Sequence, residues 1–175
     1  NYQAAITSIE KLKSKSPAIL KAHQRCTHNR ALEQLNNKNN KEAIALLNKT
    51  ISSPSDKKTH LDALYWKAEA QYRNEQYKDS YYSFQTYQNA SGASSNEYYV
   101  PSYYSLGYAA LKLKRYKDAG NNFKTYLNKT NKSEDIDLQA DASARLADCY
   151  FMQLDLPNAI KYYDQCQQLG RKNAD

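Results

Sequence analysis

The side chains that could bind a metal ion are few in this chain, and their spacing keeps them apart. His23, Cys26 and His28 form the densest group of metal-ligating residue types. On a helix His23 and Cys26 share a face, whereas His28 lies five residues from His23 and two from Cys26 and points elsewhere. A closed metal site needs several ligands that converge on one point. We therefore expect no metal and no other cofactor.

The acidic residues do not indicate catalysis either. The densest acidic group, Glu134, Asp135 and Asp137, directly follows Ser133. We interpret it as the first turn of a helix capped by Ser133, where carboxylates complement the exposed amide groups. A general acid–base pair would need two carboxylates in different environments that converge on a cleft. The chain also has no H-E-x-x-H, no glycine-rich phosphate loop and no G-x-S-x-G. We therefore predict that the chain has no catalytic residue and that the protein is not an enzyme.

Three cysteines, Cys26, Cys149 and Cys166, give an odd count without a C-x-x-C spacing. Cys149 and Cys166 are predicted on the two helices of one hairpin and could approach each other. Small buried packing residues are the favoured interpretation, and a disulfide between Cys149 and Cys166 stays open.

The net charge of +7 raises the question of nucleic-acid binding. The lysines are scattered over predicted loops and outer faces and form no arginine-rich stripe, so a solvated surface is favoured and no nucleic-acid partner is expected. No run of about 18 apolar residues is present, which predicts that no segment spans a membrane.

A fivefold repeat determines the predicted architecture. Small residues open the same short pattern at intervals of 38, 37, 39 and 40 residues: Ala5, Ala43, Ser80, Ala119 and Ala159. Another small residue stands twelve positions before each of the last four: Ala31, Ala68, Gly107 and Ala147. A period of this length, two helices long, indicates stacked helical hairpins that bury their apolar faces against neighbours. Small residues mark the places where two helices cross closely.

Apolar periodicity and turn residues predict nine helices and no strand. The predicted ranges are 2–14, 18–37, 40–51, 57–74, 77–88, 97–114, 116–128, 134–153 and 156–169. Ser16 is the predicted N-cap of the second helix, with Pro17 in its first turn. The first helix of each pair is expected to be the longer one.

Leu106-Gly107-Tyr108-Ala109, followed by Arg115-Tyr116-Lys117-Asp118-Ala119 and Phe123, resembles a tetratricopeptide (TPR) repeat. So does Tyr65-Trp66-Lys67-Ala68 with Gln76-Tyr77-Lys78-Asp79-Ser80. The resemblance implies an all-α, right-handed α-solenoid of TPR hairpins. It would comprise a half repeat at 1–16 and about four full repeats, at about 17–55, 56–95, 96–133 and 134–170. The period exceeds the usual value of about 34 residues. In this respect the chain resembles the large envelope-associated TPR proteins of Bacteroidota.

In the TPR family the first helices of successive pairs line a concave groove that binds partner proteins. By this resemblance the groove residues are Arg25, His28, Leu32, Tyr65, Glu69, Tyr72, Arg73, Tyr104, Tyr108, Leu111, Lys112, Arg145, Asp148 and Phe151. Each tyrosine has an alternative role in packing between repeats, and Tyr65, Tyr72, Tyr104 and Tyr108 are expected to be partly exposed along one groove.

The resemblance implies a non-catalytic scaffold that binds a protein or peptide segment. One alternative is the sensory or regulatory arm of a larger signalling or transcription protein, and a weaker one is glycan binding. The chain is expected to be a fragment of a longer protein. The bacterial periplasm or cell envelope is favoured over the cytoplasm, and the oligomeric state stays open.

Overall fold

The computed structural model describes residues 1–131 and 135–172, and in these ranges the backbone is helical with no strand. Nine α-helices occur in the described ranges: α1 (Tyr2–Glu10), α2 (Pro17–Asn36), α3 (Asn40–Ser52), α4 (Lys57–Arg73), α5 (Tyr77–Asn89), α6 (Tyr99–Lys112), α7 (Tyr116–Lys129), α8 (Ile136–Met152) and α9 (Leu156–Lys172). A short 3-10 turn at Ala93–Ser95 follows α5. The predicted all-helical fold of paired helices is confirmed.

The helix ends agree with the predicted ones to within a few residues, and α1 differs most because it ends at Glu10. The Ser16 side chain caps α2 with Pro17 in its first turn, as predicted. Ser133 and Glu134, the predicted start of α8, lie outside the described residues.

The expectation that every first helix is the longer one is correct for two hairpins and wrong for the other two. α2 and α4 have 20 and 17 residues against 13 in α3 and in α5. α6 and α7 have 14 residues each, and α8 and α9 have 17 each. The long interval between Ser80 and Ala119 comes instead from the connection after α5, which contains the 3-10 turn.

The chain divides into two compact units, Asn1–Tyr98 with α1 to α5 and Tyr99–Asp175 with α6 to α9. In the first unit α2 packs on α3, α3 on α4 and α4 on α5. In the second unit α6 packs on α7, α7 on α8 and α8 on α9. Each unit therefore repeats the same order of hairpin contacts.

Small residues permit the close helix crossings that the repeat predicted. Ala68 and Ser80 are fully buried, and the Ser80 hydroxyl donates a hydrogen bond to the Ala68 carbonyl at 2.8 Å. A Cβ atom on Gly107 would lie 2.8 Å from the ring of Phe123, which is itself fully buried. At these positions a larger side chain would push the paired helices apart.

The turn inside each hairpin ends its first helix in the same way. One residue adopts a left-handed conformation, and the next amide donates to the carbonyl five positions earlier, the pattern of a Schellman cap. The left-handed residues are Lys38, Glu75, Lys114 and Leu154, with φ between 57° and 62°. In the last hairpin the Asp155 amide donates to the Tyr150 carbonyl at 3.0 Å. This shared cap sets the hairpin geometry.

Among the described helices, none is long and apolar enough to cross a lipid bilayer.

Candidate functional site

In the first unit, the residues predicted to line a groove on α2 and α4 are divided between surface and core. Arg25 is exposed and lies 3.6 Å from the carboxylate of Asp56, which also pairs with Lys21 at 2.8 Å. His28 and Tyr65 retain only 8% and 7% of their accessible surface. The expectation of partial exposure is therefore wrong for Tyr65, and His28 is likewise a buried residue.

Tyr65 is buried because other rings enclose it. Its ring stacks on Tyr98 with the centroids 4.6 Å apart and the planes 8° apart. Trp66, Phe84 and Tyr87 contact it edge to face at 5.4 to 5.8 Å. We call these five residues the aromatic cluster. Its enclosed rings favour packing between repeats as the role of Tyr65.

A buried carboxylate fixes the segment that carries Tyr98. Asp62, which is 8% exposed, accepts hydrogen bonds from Lys58 Nζ and Asn96 Nδ2, both at 2.8 Å. Asn96 in turn accepts from the Tyr87 hydroxyl at 2.7 Å and from the Tyr98 amide at 3.0 Å. Lys58 also pairs with Glu97 at 2.8 Å, and the carboxylates that face its ammonium group raise its pKa. Asp62 therefore has a structural role.

Leu32 of α2 is half-buried and packs against the core of the first unit. The other three predicted residues of this unit lie toward the end of α4. The Tyr65 hydroxyl donates to Glu69 at 3.3 Å, and Arg73 lies 3.9 Å from the same carboxylate. Tyr72 is half-buried against Tyr77, with ring centroids 5.3 Å apart, and burial raises its pKa.

In the second unit, two tyrosines of α6 converge on one carboxylate of α8. The Tyr104 hydroxyl donates to Asp141 Oδ2 at 2.8 Å, and the Tyr108 hydroxyl donates to the same oxygen. The two rings are edge to face with centroids 5.1 Å apart, and both contact the buried Phe123. Gly107 leaves the space for Phe123, so a small residue of the repeat indirectly positions both tyrosines.

Arg145 links Asp141 to a second carboxylate, Asp148, which lies about one turn beyond Arg145 on α8. Its Nε atom lies 3.4 Å from Asp141 Oδ1, and its Nη1 atom donates to Asp148 Oδ2 at 2.5 Å. Asp148 also accepts from the Tyr163 hydroxyl of α9 at 2.7 Å. The three charged side chains are each about one-third exposed, at 34%, 38% and 36% for Asp141, Arg145 and Asp148. We call Tyr104, Tyr108, Asp141, Arg145 and Asp148 the tyrosine–carboxylate cluster.

The pKa values show which groups donate in this cluster. Burial, followed by the hydrogen bond to Asp141, raises the pKa of Tyr108 to about 12. The same two causes raise the pKa of Tyr104 still further above its usual value. Both hydroxyls are therefore protonated donors at neutral pH, and the ionised Asp141 accepts from both.

Four of the predicted groove residues, Tyr104, Tyr108, Arg145 and Asp148, thus meet in one cluster. The remaining three of this unit lie outside the cluster: Lys112 and Phe151 are exposed, and Leu111 is half-buried. Sequence reasoning missed Asp141. It stands six positions before Ala147, as Asp62 stands six before Ala68, and this shared repeat position is the signal that could have identified it.

The described residues contain no group of three or more His, Cys, Asp and Glu side chains that could hold a metal ion. All three cysteines are free, so the Cys149–Cys166 bridge left open by the sequence is not formed. Burial raises the pKa of the Cys149 thiol to about 12. Such a thiol stays protonated and packs as a small apolar side chain.

Two family sequence models match the chain. The model described as anaphase-promoting complex, cyclosome, subunit 3 matches residues 36–126, and the model described as tetratricopeptide repeat matches residues 104–174. No curated protein sequence matches the chain.

Solved structures with the same fold cover nearly all of the chain. A crystal structure of MamA is 18% identical to this chain with a TM-score of 0.73, and the match covers 99% of this chain and 91% of the MamA chain. The apo form of RapI is 14% identical with a TM-score of 0.78, and the match covers 99% of this chain and 63% of the RapI chain. A crystal structure of a putative kinesin light chain from Podosopora anserina, described as having nearly identical TPR-like repeats, is 15% identical to this chain with a TM-score of 0.72. The match covers 98% of this chain and 84% of the kinesin light chain structure.

At these identities the solved structures show the fold, and the first sequence model covers more than half of the residues. The chain therefore belongs to the tetratricopeptide-repeat family that the anaphase-promoting complex subunit 3 model represents.

Proposed function

We propose that this chain is a non-catalytic scaffold that binds a segment of a partner protein on the face of α6 and α8. The observation that carries the proposal is the tyrosine–carboxylate cluster, in which the half-buried Tyr104 and Tyr108 meet the partly exposed Asp141. In the first unit the tyrosine at the same repeat position, Tyr65, is buried by other rings and has no free face to offer.

The chemistry of the cluster suits recognition of a polypeptide. Tyrosine rings provide apolar contact area with a polar tip, and aromatic and arginine side chains dominate the binding energy of many protein interfaces. Arg145 offers N–H donors to backbone carbonyls of a partner, while Asp141 and Asp148 offer acceptors to its amides and basic side chains. Because these groups are already fixed by one another, binding them costs little additional ordering.

The cluster does not have the properties of a catalytic site. Tyr104 and Tyr108 have raised pKa values, so neither hydroxyl is a ready base or nucleophile at neutral pH. Asp141 and Asp148 both form ion pairs with Arg145, so they are not the two carboxylates in different environments that an acid–base pair needs. This supports the proposal of a binding role.

We also propose that the protein acts in a bacterial cell envelope. The support is the resemblance of its long repeat period to envelope-associated TPR proteins. Fractionation of the source cells with an antibody against the chain tests this location, and recovery in the cytoplasmic fraction would refute it.

The binding proposal is tested with variants that remove only hydroxyl groups. Partners are captured on the immobilised chain from a lysate of the source cells, identified by mass spectrometry, and their affinities measured by calorimetry. Tyr104→Phe combined with Tyr108→Phe should weaken binding about tenfold or more while the protein remains folded, since the two hydroxyls position the Asp141 carboxylate. Tyr65→Phe in the aromatic cluster is the matched control and should leave affinity unchanged. A folded double variant that binds as tightly as the wild type would exclude this face as the binding site.

A further inference from the structure

The end of the α8–α9 hairpin exposes more large apolar side chains than any other part of the described chain. Six of them lie on the last turn of α8, the turn itself and one stripe of α9. They are Phe151, Met152, Leu154, Leu156, Ile160 and Tyr163, with exposures of 54%, 52%, 85%, 51%, 61% and 42%. Leu156, Ile160 and Tyr163 follow the spacing of neighbours on one helical face. We call these six residues the end patch.

Comparison with the earlier hairpins shows that part of this patch is particular to the last one. Met152 takes the position of Asn36, Arg73 and Lys112, and Leu154 takes that of Lys38, Glu75 and Lys114. All six of these polar or charged side chains are exposed. Lys38 and Lys114 are exposed even though another hairpin of their own unit follows each of them. A following hairpin therefore leaves this position open, and packing of the repeat does not explain an apolar residue there.

Leu154 is also unsuited to its backbone. It adopts φ of 62°, a left-handed conformation that a branched apolar side chain disfavours, and 85% of its surface is exposed. It adds almost nothing to the core of the described chain, so packing within residues 1–131 and 135–172 does not explain an apolar side chain at this position. An exposed apolar patch of this kind marks an interaction surface.

We propose that the end patch binds the same patch on a second copy of this chain. If an aromatic side chain, at roughly 150–250 Å², is taken as the upper figure for each residue, the six exposed fractions amount to at most on the order of 600 Å² per copy. A twofold contact would then bury up to about 1,200 Å², near the lower bound for a specific interface. The patch is thus large enough for a self-complementary dimer in which each copy contributes the same residues.

The charges beside the patch are also self-complementary. Lys161 and Asp164 border Ile160 in a shallow groove along α9. Both are exposed, and neither forms an ion pair within residues 1–131 and 135–172. With two α9 helices antiparallel across a twofold axis, Lys161 of each copy faces Asp164 of the other. The nearest charged neighbour at the hairpin tip is acidic, Asp155, and this disfavours an anionic lipid surface as the occupant.

Sedimentation equilibrium on the purified chain tests the proposal directly. The chain should be a dimer at about 100 µM, and Met152→Lys combined with Leu154→Lys should raise the dimer dissociation constant at least tenfold. These substitutions introduce the residue type of the preceding hairpin at exposed positions, so the monomer should fold normally. Leu138→Lys is the matched control, because Leu138 is 41% exposed on the same α8 outside the patch and should not matter. A wild-type chain that is monomeric at this concentration, or an equal effect of the control, would overturn the proposal.

A charge exchange tests the twofold arrangement. Lys161→Glu alone and Asp164→Lys alone should each weaken the dimer several-fold, because each places like charges opposite one another. The double variant should recover most of the affinity. If the double variant loses as much dimerisation free energy as the two single variants together, the two residues do not face each other and the antiparallel arrangement is wrong.

Discussion

Asp62 and Asp141 occupy the same position of the repeat, six residues before the buried alanine of a first helix, but their surroundings give them different roles. In the first unit, Lys58 and Asn96 enclose Asp62, which thereby holds the segment that covers Tyr65. In the second unit, Asp141 accepts from two tyrosines and keeps about a third of its surface. One repeat position is thus enclosed in one unit and keeps part of its surface exposed in the other.

The difference follows from the residues that each carboxylate meets. Asn96 belongs to the connection after α5, where the 3-10 turn brings its side chain over α4. Asp141 meets no such side chain, and the hydroxyls of Tyr104 and Tyr108 are its donors. The repeats therefore share one helix geometry, and the few residues that differ between them determine how each carboxylate is used.

The largest expected effect separates the two equivalent tyrosines. Tyr65→Ala should lower the free energy of unfolding by about 3–5 kcal/mol, because a buried ring within the aromatic cluster is lost. Tyr104→Ala should cost less than half as much, since Tyr104 is only half-buried. Urea denaturation monitored by circular dichroism measures both.

Tyr82→Ala is the control for these two variants. Tyr82 is 51% exposed, so its removal should change stability by no more than about 0.5 kcal/mol. Equal losses for Tyr65→Ala and Tyr104→Ala would remove the proposed distinction between a packing ring and a recognition ring.

The two carboxylates should differ in the same direction. Asp62→Ala leaves the side-chain amide of Asn96 without its acceptor in a partly buried position and should cost about 1–3 kcal/mol. Asp141→Ala should cost less than about 1 kcal/mol because its ion pair with Arg145 is partly exposed. Thermal melts of both variants under one buffer decide the order, and a larger loss for Asp141→Ala would reverse the roles assigned here.

The sequence predicted the helices well because the repeated small residues have a local physical reason. Ala68 and Ser80 recur where two backbones must touch, and the Ser80 hydrogen bond shows that they do. The exposure of individual groove residues was less predictable. Tyr65 and Tyr104 have the same position and the same residue type, but Tyr65 is enclosed by several rings, and Tyr98 stacks on it from a segment outside the helices. Such a contact depends on tertiary structure, which the spacing of residues does not contain.

The role of Asp141 was not predictable for a related reason. Its acceptor function requires two hydroxyls from α6, more than thirty residues earlier in the chain. The sequence did supply Tyr104, Tyr108, Arg145 and Asp148, since these follow from the first-helix pattern. The repeat position shared with Asp62 could have singled out Asp141 among the acidic residues of α8, but it does not show which hydroxyls that carboxylate meets.

A matched pair of glycine substitutions tests the support beneath the tyrosine–carboxylate cluster. Gly107→Ala places a methyl group 2.8 Å from the Phe123 ring and should destabilise the protein by about 1–3 kcal/mol. Gly120→Ala meets Cys149 and Leu146 only at 3.4 and 3.5 Å, so the gain of helix propensity should make it neutral or stabilising by up to about 1 kcal/mol. Chemical denaturation measures the two variants together. If Gly107→Ala is as stable as Gly120→Ala, Phe123 has room to move and does not fix the tyrosines.

The smallest expected effect is a change in the ionisation of Tyr108. In the folded protein its pKa is raised from 10.0 to about 12, first by burial and then by the hydrogen bond to Asp141. A raised pKa means that the neutral tyrosine stabilises the fold below pH 10 and that this contribution is lost as the pH rises toward 12. Asp141→Asn removes the negative charge that disfavours the phenolate, so the pKa of Tyr108 should move back toward 10.0 while burial keeps it from reaching that value.

Carbon-13 NMR of labelled tyrosines, with Tyr108→Phe to assign the resonance, measures the shift. The pKa of Tyr103, raised to about 12 by burial and by its neighbour Tyr99, is the internal control and should not change. An unaltered titration of Tyr108 in the Asp141→Asn variant would mean that the two side chains do not interact in solution, and the second unit would then lose the feature that distinguishes it from the first.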